Sequence, residues 1–134
     1  MYLIDTNVIS EARRGAPQAA EWVGTADPMS CYLSVITLGE IRKGIEVIAR
    51  RDTPAAASLT RWLDGLRTGY ADRILPVTQT IALEWGHLIA SQSRPTADAL
   101  IAATAIAHRL TLVTRNIRDF QGCGVTLINP WDAP

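Results

Sequence analysis

With 134 residues, 48% of them apolar and 19% charged, the chain has the length and hydrophobicity of one compact domain, read here as 1–134, and is too apolar for a disordered polymer. Basic and acidic residues balance at 13 each, so net charge by itself announces neither a nucleic-acid binder nor an acidic partner. No apolar run nears the roughly 18 residues a membrane helix needs, and Met1 leads into Tyr2-Leu3-Ile4-Asp5 without a basic leader or cleavage site, so no membrane partner and a cytoplasmic location are expected.

Short apolar runs alternate with longer amphipathic windows, the pattern of a parallel sheet covered by helices and hence of an α/β fold. Tyr2-Leu3-Ile4 reads as a buried strand, closed by Asp5-Thr6-Asn7, which suit a helix cap; a helix from Val8 then stops near Gly15. Pro17 opens a short helix through Trp22, and Cys31 to Val35 forms a second strand. Thr37 is the expected cap of a helix whose Leu38, Ile41, Ile45 and Ile48 recur at helical spacing. An alanine-rich helix follows Asp52-Thr53-Pro54 to about Leu66, then a strand from Ile74 to Val77. Thr78 starts a helix with Ile81, Leu83, Leu88 and Ile89 among its apolar positions, and Pro95 opens another that runs to His108. Thr111 to Thr114 is the next strand, a turn spans Asn116 to Gly124, and Val125 to Ile128 is the last strand, ended by Asn129-Pro130.

In such a fold ligands gather at the carboxyl ends of the strands, where loops and helix N-termini converge. Four acids fall on that rim. Asp5 ends the first strand, Glu40 lies in the first turn of the helix after the second, Asp98 opens the helix after Pro95, and Asp119 lies in the turn after the fourth. Taken singly, Asp5 could cap a helix, Glu40 could pair with Lys43, Asp98 could favour its helix N-terminus and Asp119 could close a turn. Taken together, four carboxylates on one rim repel one another unless a hard cation compensates, and Mg²⁺ or Mn²⁺ suits oxygen ligands.

Other chemistries find little support. His87 and His108 sit in different helices with no metal-ligand spacing, no phosphate loop or dinucleotide fingerprint occurs, and Ser10 and Ser34 lack a nucleophile-elbow context. A phospho-acceptor domain would need paired acids after the first strand and a lysine after the last, whereas Thr6-Asn7 follow Asp5 and Lys43 is the sole lysine. A haloacid-dehalogenase-like phosphatase would need a second aspartate where Asn7 stands. The four tryptophans read as core or interface residues, and Cys31 and Cys123 as structural thiols. Twelve of the basic residues are arginines, suited to forked phosphate contacts; Arg13, Arg14, Arg42, Lys43, Arg115 and Arg118 flank the acidic segments.

Four segments in order, Leu3-Ile4-Asp5-Thr6-Asn7, Leu38 to Ile45, Asp98 to Ala103 and Thr114 to Phe120, resemble the motifs of the PIN-domain family. Within it the chain is similar to VapC-type toxins of toxin–antitoxin modules, FitB-like members included, over its whole length to Asn129-Pro130-Trp131. The resemblance implies a three-layer α/β/α sandwich around a mostly parallel sheet and a metal-dependent ribonuclease acting on RNA. It also implies a homodimer silenced by a cognate, VapB-like antitoxin. By motif match Asp5, Glu40, Asp98 and Asp119 take the family's acidic positions, which hold Mg²⁺ or Mn²⁺, and Thr114 and Asn116 its polar support. Where some members carry a further acid, this chain has Asn116, which leaves one or two metals open.

Overall fold

The computed structural model describes residues 1–132; the expected domain 1–134 thus extends two positions beyond the described residues. Five strands, β1 (Tyr2–Ile4), β2 (Cys31–Ser34), β3 (Ile74–Leu75), β4 (Thr111–Val113) and β5 (Leu127–Ile128), form one sheet in the order β3-β2-β1-β4-β5. Every pairing is parallel, with Leu3 opposite both Tyr32 and Leu112. The chain steps outward from β1 to β3, then returns past β1 to lay down β4 and β5. The strand order therefore reverses between β1 and β4, and a crevice opens at their carboxyl ends.

Period-two alternation sends neighbouring residues of each strand to opposite faces. Ile4, Cys31, Leu33 and Val113 pack under α1 (Thr6–Arg13), α2 (Pro17–Thr25), α3 (Val35–Ala49) and α4 (Thr53–Gly69), where Val8, Ile41, Ile45 and Leu63 meet them. Leu3 and Leu112 face the other way, toward Ile81 and Leu88 of α5 (Gln79–Ser91) and Ile101, Ala102 and Ala105 of α6 (Thr96–His108). Helices on both faces of a parallel sheet make the three-layer α/β/α sandwich that the motifs implied. In α6, residues Ala99 and Ile101 to Ala105 are all buried, since small side chains let it press against sheet and α5 together.

Several local expectations shift. Ser34 rather than Thr37 caps α3, accepting the Ile36 N–H at 3.0 Å, because the chain turns from β2 into the helix with no intervening loop. Thr37 is therefore one turn inside and fully buried. Asp5 caps α1, which begins at Thr6 and not at Val8. Pro76, with no N–H to give a ladder, ends β3 early, and β5 keeps only Leu127–Ile128. The turn after β4 contains a one-turn helix, α7 (Ile117–Phe120), plugged into the core by Phe120. Of the apolar positions read in α5, Ile81 and Leu88 are buried, whereas Leu83 is 77% exposed.

Candidate active site

Two adjacent strands deliver the centre of the crevice. Asp5 follows β1 directly and Thr114 follows β4, and both are buried. Three polar contacts fix the Asp5 carboxylate: the Thr6 N–H donates to Oδ1 at 2.8 Å, the Thr114 hydroxyl donates to Oδ2 at 2.8 Å, and the Asn7 amide reaches Oδ2 at 3.4 Å. The cap of α1 and a candidate ligand are thus one side chain. Thr114 is held in turn by the Asn116 N–H at 3.1 Å, while Asn7 Oδ1 accepts the Arg115 N–H at 3.2 Å and ties the β4 turn to α1. Asn116 contributes through its backbone, its carbonyl accepting the Asp119 N–H at 3.0 Å, and it makes no side-chain cap of α7.

Glu40 arrives from α3. The Thr6 hydroxyl donates to its Oε1 at 2.6 Å and lies 3.0 Å from the buried Thr37 hydroxyl, so Thr37 and Glu40, one turn apart, present a common polar face to α1. Asp98 stands in the first turn of α6 and exposed Asp119 in α7. Thr6, Asn7 and Thr37 were not expected as site residues. The two on Asp5's flank read as generic cap formers, and Thr37's role depends on a contact between α1 and α3 that no local pattern announces.

Electrostatics bind the four acids into one unit. The Asp5 carboxyl is pushed up to about 6, chiefly by burial, with hydrogen bonds from Thr114 and Thr6 opposing and the charges of Asp98 and Glu40 reinforcing. Burial likewise raises Asp98, and the charges of Asp119 and Glu40 push it the same way. Asp98 therefore feels each of the other three carboxylates. Among the described residues no lysine or arginine forms an ion pair with any of the four; Lys43 does not pair with Glu40, and Arg42 faces Glu46 instead. No three carboxylates among the described residues converge into a closed ligand set. The donor set nevertheless fits a divalent metal: hard oxygen atoms, one carboxylate buried, two half-buried and one exposed, whose mutual repulsion no ion pair among the described residues relieves.

The arginines that flank the acidic segments in sequence are held in different ways. Exposed Arg115 stacks its guanidinium 4.7 Å above the Trp131 ring, beside the turn that Asn7 fastens, while Arg13 lies over Trp62 and Arg14 is paired with Glu11. A separate groove of about 670 Å³ runs between α2 and residues 128–132, lined by Trp22, Glu21 and Trp131 among others, and contains none of the four acids.

The chain matches the PIN domain over residues 2–122. It is 35% identical to the plasmid stability protein StbB of Pseudomonas syringae pv. tomato, covering 99% of this chain and 100% of that one. It is 32% identical to the VapC ribonuclease Y4jK of Sinorhizobium fredii over 98% of this chain and 99% of the relative. The crystal structure of FitAcB from Neisseria gonorrhoeae superposes with a TM-score of 0.89 at 32% identity, covering 99% of this chain and 100% of that one. The sequence motifs and the α/β/α fold agree with these matches, and the chain belongs to the PIN-domain family.

Proposed function

We propose that the chain is a divalent-metal-dependent ribonuclease that hydrolyses RNA phosphodiester bonds as the toxin of a cytoplasmic toxin–antitoxin module. A cognate, VapB-like antitoxin neutralises it. The observation that carries the proposal is the mutual repulsion of Asp5, Glu40, Asp98 and Asp119, with which no lysine or arginine among the described residues forms an ion pair: such a group is costly and persists where a bound ion compensates it. The name VapC ribonuclease borne by a relative at 32% identity supports RNA as the substrate.

Asp5, Glu40, Asp98 and Asp119 would hold Mg²⁺ or Mn²⁺, and the ion when bound supplies Lewis acidity, neutralising phosphodiester charge and acidifying water. The chain's own groups do the arranging. Thr6 N–H and the Thr114 hydroxyl fix the Asp5 carboxylate in one orientation, and the Thr6 hydroxyl does the same for Glu40. The N-terminus of α6 favours the ionised form of Asp98, against the burial and like charges that oppose it. Arg115, Arg118 and Lys43, exposed beside the acidic segments, are placed to draw in the phosphate backbone, so binding should weaken as salt rises. Membership of the family is the ground on which a homodimer is proposed.

Incubating the purified chain with mixed RNA in Mg²⁺, Mn²⁺ or EDTA tests the activity. Cleavage is expected with metal and absent with EDTA. Asp98→Asn, which removes the charge shared by the whole cluster at almost constant volume, is expected to abolish cleavage and to leave the melting temperature unchanged or higher. Cleavage in EDTA, or more than a few per cent of activity left in Asp98→Asn, would overturn the metal role.

A further inference from the structure

Asp119 sits on the least self-sufficient element of the site. α7 is a single turn of four residues, too short to be stable alone, and only Phe120 anchors it in the core. Its trailing carbonyls have no helical partners of their own. Arg94 supplies them. From the connection between α5 and α6, its Nη1 donates to the Asp119 carbonyl at 3.0 Å and to the Gln121 carbonyl at 3.4 Å, while Nη2 donates to the Gln121 carbonyl at 3.3 Å and to Gln92 Oε1 at 3.4 Å. The guanidinium lies over the turn that follows, with Nη2 only 3.8 Å from where a Cβ on Gly122 would stand. Arg94 itself is half-buried: its Nε is covered without a partner, while the Nη contacts lie at the surface.

The location matters as much as the bonds. Arg94 precedes Pro95, the cap residue of α6, and Asp98 follows in the first turn of that helix. One planar fork therefore joins the segment that launches Asp98 to the segment that carries Asp119. With its terminal nitrogens committed to carbonyls on either side of α7's end, the guanidinium has little left to offer an RNA phosphate. A lysine has a single nitrogen, so it lacks the second one that here reaches Gln121 and Gln92 together.

We propose that Arg94 is a positioning residue: it sets the separation of Asp119 from Asp98, and through it the affinity of the four acids for a divalent ion. This rests on the metal-dependent reading above. The alternative is a loop staple that supports stability and nothing more.

Titration calorimetry of the full chain with Mn²⁺ alone separates the two. Partners that orient a metal ligand typically alter affinity by about 10- to 100-fold, so Arg94→Met is expected to weaken Mn²⁺ binding roughly tenfold and Arg94→Lys by a smaller factor. Because Arg94 acts through Asp119, Arg94→Met added to Asp119→Asn should weaken binding no further than Asp119→Asn alone. Parental affinity in Arg94→Met, with or without a lower melting temperature, overturns the proposal, as does an additive loss in the double variant. Should Arg94→Met fail to fold, Arg94→Gln, which removes the guanidinium and its charge, decides, and a parental dissociation constant in that variant overturns it equally. If the unaltered chain binds no Mn²⁺, the metal-dependent function falls first and the proposal with it, an outcome distinct from normal binding that ignores position 94.

Discussion

Asp5 holds two tasks in tension. As the cap of α1 and the acceptor for Thr114 it stabilises the fold, yet as a buried charge among other acids it opposes folding once ionised. Its folded-state value of about 6 lies above the unfolded 3.8, so the folded chain holds the proton more tightly between those values. Stability contributed by the protonated form is complete below the unfolded value and is lost as pH rises through the folded one. The loss from this group is about 3 kcal/mol by pH 8, the equivalent of roughly two pKa units at 1.36 kcal/mol each. Urea denaturation of metal-free protein from pH 4 to 8, compared with Asp5→Asn, should show the parent losing its advantage across that window. Asparagine does not titrate, but it gives up an acceptor to Thr6 or Thr114, so the variant should be the weaker at pH 4. A difference between the two proteins that stays constant with pH would rule out the raised carboxyl.

Elements away from the crevice are free of this tension and can be improved. Gly65 lies inside α4 on an exposed face, and a Cβ there would meet nothing within 4 Å. Gly65→Ala should therefore raise unfolding free energy by roughly 0.5 to 1 kcal/mol, read by chemical denaturation, with RNA cleavage unchanged. No gain in stability would mean that α4 is constrained there by something other than its own backbone. The elements also show what was legible in advance. Strands and long helices followed from hydrophobic period, and Asp5, Glu40, Asp98 and Asp119 followed from the rule that strand ends collect ligands, since each lies within a few residues of an element boundary. What the periodicity could not carry was contact between elements distant in sequence. Thr6 meets Glu40 across 34 positions and Arg94 meets Gln121 across 27, and neither pair leaves a local trace. The Thr37 cap failed for a smaller reason, because Ser34 three residues earlier offered the same hydroxyl at the end of the strand.

At the scale of the molecule, the topology concentrates a liability that a ligand can relieve. Reversal of strand order between β1 and β4 draws α1, α3, α6 and α7 to one crevice, and each brings a carboxylate or its support. A divalent ion that binds only the folded chain should stabilise it by RT ln(1 + [L]/Kd), about 2.7 kcal/mol at a hundredfold excess over Kd. For a chain of this length that corresponds to a rise in melting temperature on the order of 10 °C. Three controls separate coordination from screening. NaCl at matched ionic strength should move the parent little, because screening weakens contacts between exposed charges far more than those of a buried carboxylate. Asp98→Asn should lose most of the Mn²⁺-dependent rise, since Asp98 is the acid that feels the other three. The rise should also grow between pH 5 and 7, because the proton on Asp5 competes with the ion until pH passes about 6. A rise reproduced by NaCl, or retained in full by Asp98→Asn, would show that the carboxylates are being screened and not bridged.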